Sequence, residues 1–297
     1  MRIYNIAGLR VGFVGYTDDV LDERMRPYED GGAVGDADVR INIEMTDAGM
    51  PVPEDDIVCA VGGEVWCSRG EGKSLLHYLL FPDLDGAAVR TEYNGNFDDI
   101  TVTMFDTKRC LGCDDKAYLI NTLSMVMHYV AMMHGRLVLH SSAICCGGVG
   151  VAFSADSGVG KSTHTALWQK YIPDTEYIND DTPMISTEGG EVFISGTPFA
   201  GSSGINKNET VPLRAIFFIE RAKQNSAVRL PTPIAFSLMM GQLRSPVNGV
   251  MTERMMKTID AVMKKVPVYK LCCNMEADAA YTAKKILDEL TKGNIES

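Results

Sequence analysis

The run Ala155-Asp156-Ser157-Gly158-Val159-Gly160-Lys161-Ser162 is suited to holding a chain of phosphates. Gly158 and Gly160 let the backbone turn so that its N–H groups face inward. A helix starting at the end of the run adds its partial positive charge. Lys161 can reach the β- and γ-phosphates, and the Ser162 hydroxyl can coordinate Mg²⁺. Ala155 stands where the usual pattern has its first glycine. Binding contacts are therefore expected from Asp156, Ser157, Gly158, Val159, Gly160, Lys161, Ser162 and Thr163.

A second group follows one helix later. Asp180 and Asp181 end a short extended segment, Tyr177–Asn179. A phosphate-loop enzyme needs a carboxylate near the metal and near the attacking group. One carboxylate can hold Mg²⁺ and another can take a hydroxyl proton. Adjacent residues on a strand point to opposite faces, so the pair is expected to divide these roles. Asp181 and Ser162 are the candidate metal contacts. His164, in the first turn after Ser162, reads as peripheral. Lys207 and Arg214 are basic residues that could neutralise phosphate charge. Cys110-Leu111-Gly112-Cys113 is half of a zinc site with no second pair at metal spacing. Met239, Met240, Met251, Met255, Met256 and Met263 read as core, with an adaptable peptide groove as the alternative.

These residues need a scaffold. Val149–Ser154 is an apolar strand leading into the loop, and Ser162–Tyr171 is the helix leaving it. Further strands are expected at Leu137–Leu139, Glu191–Ser195, Leu213–Glu220 and Val268–Cys272. Helices are expected at Ile234–Gln242, Glu253–Lys265 and Glu276–Leu290. Strands mixed with helices in this way make an α/β domain. The preceding third is different: Leu9–Gly15, Ala37–Glu44 and Ile100–Phe105 are strands separated by the turn-like stretches Glu29–Asp36, Thr46–Asp56 and Tyr93–Asp99. The apolar spacing of Leu119, Leu123, Val126, Val130 and Met133 then marks a helix over Asp115–Met133, capped by Asp114 or Asp115. The expected division is a β-rich domain over 1–113 and a catalytic domain over 114–297.

Composition narrows the partners. The chain has 297 residues, 28 Lys plus Arg and 39 Asp plus Glu, for a net charge of −11. An acidic surface disfavours nucleic acid and anionic membranes. Ala117–Gly135 carries no formal charge, but Asn121, Thr122, Ser124, His128 and His134 argue against a membrane span. The opening residues lack the apolar core of a secretory signal. The eight cysteines are therefore expected as reduced thiols in the cytoplasm.

His140, the stretch Gly150–Ser162 and Asn179-Asp180-Asp181, in that order, resemble the catalytic domain of HPr kinase/phosphorylase. The closest likeness is to the shorter HPr-kinase-like proteins that accompany peptide-maturation genes. The resemblance covers roughly 134–290. It implies a mixed-sheet α/β core shared with phosphoenolpyruvate carboxykinase, with a smaller β-rich domain before it. It also implies ATP with Mg²⁺ and transfer of phosphate to a serine hydroxyl of a peptide or protein. Catalytic roles carry over onto Asp180, Asp181, His140 and Lys161. Either aspartate can be the base and the other the metal contact. The family's tendency to assemble implies a homo-oligomer. The family's glycine-rich second signature is missing; Ser195–Ser203 stands in its place, which counts against phosphorylase activity and against HPr as substrate. Two alternatives stay open. One is a nucleotide-gated module presenting a peptide to another enzyme. The other is a carboxykinase-like small-molecule enzyme, against which stand the short chain and the lack of an arginine cluster.

Overall fold

The computed structural model describes residues 2–32, 37–69, 74–80, 84–112 and 117–293. The chain divides into two compact units: Met1–Met133 with Pro246–Thr252, and His134–Ser245 with Glu253–Ser297.

The first unit is built on a nine-stranded sheet. Its strands are β1 (Arg2–Ile6), β2 (Leu9–Gly15), β3 (Glu29–Asp30), β4 (Val39–Thr46), β5 (Ile57–Val61), β6 (Glu64–Arg69), β7 (Ser74–Leu80), β8 (Ala87–Asn94) and β9 (Asp99–Phe105). Their order is β3-β1-β2-β4-β9-β8-β7-β6-β5. The pairs β2/β4 and β4/β9 are parallel, and the others antiparallel. Alternation drives the pairing: Val39, Ile41 and Ile43 of β4 are buried while Arg40 and Glu44 face out. Three helices accompany the sheet: α1 (Asp19–Met25), α2 (Thr107–Leu111) and α3 (Tyr118–Met133).

Helix α3 belongs to this unit, so the division falls at Met133/His134 and not near Cys113. The reason is packing. Tyr118 Oη donates to the Ala88 carbonyl at 2.9 Å, and the Tyr129 ring meets Trp66 edge-on at 4.8 Å. Apolar residues are buried nearly all round the helix, which explains its lack of charge. The expected caps Asp114 and Asp115, and Cys113, lie outside the described residues.

The second unit carries the phosphate-loop candidate. Its strands are β10 (Arg136–Val138), β11 (Ser141–Cys146), β12 (Val149–Ser154), β13 (Thr175–Asn179), β14 (Met184–Glu188), β15 (Glu191–Ser195), β16 (Thr210–Arg221), β17 (Ser226–Arg229) and β18 (Val268–Cys273). The order is β10-β14-β15-β16-β12-β11-β13, with β18 also on β16 and β17 on β18. Long β16 organises this mixed sheet. One edge pairs first with β15, at 210–212, and then with β18, from 216 onward; the other edge runs parallel to β12. Helices α4 (Lys161–Tyr171), α5 (Thr232–Gly241), α6 (Gly249–Lys265) and α7 (Ala277–Gly293) complete the element list.

Topology decides where chemistry can occur. Strands β12, β16 and β18 are parallel, so Ser154, Arg221 and Cys273 end at the same edge. Strand β11 runs antiparallel to β12, which returns its start, just after His140, to that edge. Strand β13 runs antiparallel to β11 and delivers Asn179 and the two aspartates there too. Crevices beyond strand carboxyl ends are where open α/β sheets bind ligands. A tight hairpin makes the β11–β12 return, with Gly147 at φ 58° and Gly148 at φ 80°, the left-handed pair such a turn requires.

A packed aromatic core fixes this edge from below. Phe153 of β12 stacks on Phe217 of β16 at 5.4 Å, and Phe217 on Tyr269 of β18 at 5.3 Å. Trp168 of α4 and Ala280 and Leu287 of α7 are buried in the same cluster. Of the C-terminal methionines, Met239, Met251 and Met255 are fully buried, which is the core reading.

Candidate active site

The loop between β12 and α4 spans residues 155–160. Gly158 has φ 77° and Gly160 φ 127°, and nothing lies within 4 Å of where a Cβ would stand on either. The constraint there is backbone conformation. The first internal bond of α4 runs from the His164 amide to the Gly160 carbonyl. The amides of Lys161, Ser162 and Thr163 are thus left over at the helix start. Arg221, at the end of β16, braces the loop from outside: its Nε donates to the Val159 carbonyl at 2.8 Å and an Nη to the Gly158 carbonyl.

Lys161 is buried, and its Nζ donates to the Ala155 carbonyl at 3.1 Å and lies 3.0 Å from His140 Nε2. Burial pushes its pKa below the ordinary lysine value, against the opposing pull of Asp181, Asp180 and Asp156. His140 Nε2 in turn lies 3.4 Å from Asp181 Oδ1. Lys161, His140 and Asp181 therefore form one contiguous polar chain at the mouth of the loop.

The aspartates do differ, but not by strand alternation. Strand β13 stops at Asn179, so both sit on the turn beyond it and both line the same cleft. Asp180 is buried and its Oδ1 accepts from Ser142 Oγ at 2.7 Å, which also contacts Thr165 of α4 at 3.0 Å. Asp181 is half-exposed and faces His140. Asn179 shapes this turn: its Oδ1 accepts from the amides of Asp181 and Thr182, and its Nδ2 donates to the Thr197 carbonyl.

Gln242, just after α5, links the two halves. Its Nε2 donates to Asp156 Oδ1 at 2.9 Å, leaving Oε1 toward His140 Nδ1 at 3.1 Å. With Oε1 as acceptor, Nδ1 must carry the proton, and the Nε2 lone pair is turned to Lys161.

A cleft of about 420 Å³ joins these groups. Its lining includes His140, residues 157–164, Asp180, Asp181, Ala200–Ser203, and Arg221 with Cys273–Met275. Of the expected binding residues, Ser157, Gly158, Val159, Gly160, Lys161, Ser162 and Thr163 line it, whereas the Asp156 carboxylate is engaged by Gln242. From Ser195–Ser203, the part that reaches the cleft is Ala200–Ser203. Gly201, at φ 53°, comes so close that a Cβ would stand 3.0 Å from the Asp181 carboxyl carbon.

Three expectations are corrected. Lys207 is bound by Glu176 and Glu209, and Arg214 by Glu191, so neither lines the cleft; Arg221 does. His164 is not peripheral: it is buried, accepts at Nε2 from the Trp168 indole at 3.1 Å, and burial lowers its pKa to about 4. Cys110 contacts the Asp47 carbonyl, and among the described residues no group of three His, Cys, Asp or Glu could hold a metal. Arg221 and Gln242 have no local signal in the sequence; they arrive through strand pairing and a helix end far along the chain.

No family model matches the chain, and no curated protein matches it. Among solved structures it is similar to the Hpr(Ser) kinase/phosphatase from Coxiella burnetii, at 12% identity and a TM-score of 0.32, over 54% of this chain and 99% of that chain.

Proposed function

We propose that the chain is an ATP-dependent kinase that transfers the γ-phosphate to a serine hydroxyl of a peptide or protein. The observation that carries this reading is the contiguous set Lys161–His140–Asp181, placed at the open end of a glycine loop and a helix N-terminus. The loop and the first-turn amides of α4 would hold the phosphates. Lys161 would lie along the β- and γ-phosphates and offset charge that builds in transfer.

Asp181 is the better candidate for the base, because it is half-exposed and faces the cleft, while Asp180 is buried and already accepts from Ser142. In this role Asp181 takes the serine proton as the hydroxyl oxygen attacks the γ-phosphorus and the β–γ bridging oxygen departs with its electron pair. His140 would hold Asp181 in place and tune its basicity. The donor set also suits Mg²⁺, which takes oxygen ligands and binds through one or two carboxylates plus substrate phosphates. Ser162 with Asp181, or with Asp180, would hold the ion, and it would supply neutralisation of phosphate charge.

The test is transfer from γ-labelled ATP with Mg²⁺ to serine-containing peptides, for the wild type and Asp181→Asn. Label on serine that disappears in the variant supports the kinase. Intact ATP binding with no label on any peptide, in either protein, would leave a binding module instead.

A further inference from the structure

The cleft has two unlike ends. Toward Asp181 it is polar and bordered by Ala200–Ser203, the side from which an acceptor would approach. Away from it lie Leu167, Ile219 and Met275, with Arg221 beside them. Leu167 is one helical turn beyond Thr163 on α4, on the same side of the helix. A phosphate chain whose terminal phosphate sits by Lys161 and Asp181 must continue toward this second end.

We infer that the end bounded by Leu167, Ile219, Arg221 and Met275 is a stacking site for a nucleobase that does not distinguish adenine from guanine; this rests on the phosphate-loop reading above. The shape of the side chains argues for stacking. Met275 is 73% exposed, an unusual position for a large apolar residue unless something flat covers it. Arg221 has its Nε and one Nη committed to loop carbonyls, which holds the guanidinium plane in place. A fixed guanidinium plane and a thioether are both good partners for a π-face.

Indifference follows from the polar groups. Adenine and guanine differ by donors and acceptors on one edge, so telling them apart needs positioned partners for that edge. Among the described residues at this end, no side chain supplies one. The Asn274 amide is committed at both ends, its Oδ1 accepting from the Glu276 amide at 3.0 Å and its Nδ2 donating to the Lys223 carbonyl at 3.4 Å. The Cys273 thiol is buried against His164, with burial raising its pKa to about 11. The Cys273 carbonyl accepts from the Ala222 amide.

Calorimetric titration of the full chain with Mg²⁺-ATP, Mg²⁺-GTP and Mg²⁺-tripolyphosphate tests this. Tripolyphosphate reads the loop alone. ATP and GTP should bind within about tenfold of each other, a difference too small for hydrogen-bonded base reading. Met275→Ala, at an exposed position, should weaken both nucleotides by roughly three- to tenfold, as expected for lost apolar contact, and leave tripolyphosphate unchanged. A preference between ATP and GTP above about tenfold, or a Met275→Ala variant that binds both nucleotides like the wild type, overturns the inference while tripolyphosphate binding upholds the loop. Failure of all three ligands to bind removes the loop reading and this inference together.

Discussion

Asp181 should separate binding from transfer. Asp181→Asn keeps the size and removes the base, so transfer should fall by about 10²–10⁴-fold. ATP affinity, read by calorimetry, should hardly change; a parallel loss of both would assign Asp181 to binding alone. Gln242 acts one step back. Gln242→Leu removes the hydrogen bonds to His140 and Asp156, and losing such a bond costs roughly 1–3 kcal/mol, or about 10–100-fold in turnover. The pH profile of kcat should move as well, because the proton position on His140 is no longer fixed. A lower kcat with an unmoved profile would reduce Gln242 to a brace.

His164 makes a prediction about stability. In the folded chain it stays neutral down to about pH 4, against 6.5 ordinarily. As pH falls, the unfolded chain takes up the proton first. Stability present above pH 6.5 is therefore lost between 6.5 and about 4, by on the order of 3 kcal/mol. Urea unfolding across that range should show a shallower decline for His164→Gln than for the wild type. Parallel curves would dispose of the idea.

The elements explain why some of this was legible in the sequence and some was not. Val149–Ser154, Glu191–Ser195 and the helix after the loop could be read directly, because each has its own apolar pattern and sharp ends. Strand β11 escaped notice: Ser141–Cys146 is buried on both faces, so it shows no alternation, and it has a single β-branched residue, Ile144. Strands β6 and β7 were hidden by the charged and small residues that interrupt them. His140, Lys161 and the aspartates could be found as a motif. Arg221 and Gln242 could not, since their places depend on the pairing of β16 with β12 and on where α5 ends. The segment after β15 offers a test of such dependence. A Cβ on Gly196 would stand 1.9 Å from the Lys207 carbonyl oxygen and 2.8 Å from that of Ile178. Both are backbone, so Gly196→Ala must push the chain apart next to Thr197 and the Asn179 turn. A cost on the order of 3 kcal/mol and a Tm drop of roughly 6–12 °C are expected in a thermal melt. An unchanged Tm would mean that this turn yields readily.

At the scale of the molecule, the lining residues of the cleft all belong to the second unit. Nucleotide should therefore stabilise that unit by mass action. Hydrogen exchange with and without Mg²⁺-ATP should slow in the loop, the start of α4 and the Asn179 turn, and stay unchanged across β5–β8. Slowing confined to the first unit would place the ligand elsewhere. Among the described residues, no helix is long and apolar enough to cross a membrane.

The burial of Lys161 has a chemical consequence. An amine that gives up its proton below the range of surface lysines is the stronger nucleophile at neutral pH. An acyl phosphate or other activated ester offered to the chain should acylate Lys161 ahead of its solvated counterparts. Phosphates lying in the loop would shield it, so the rate of acylation becomes a direct measure of occupancy, read at one residue by mass spectrometry.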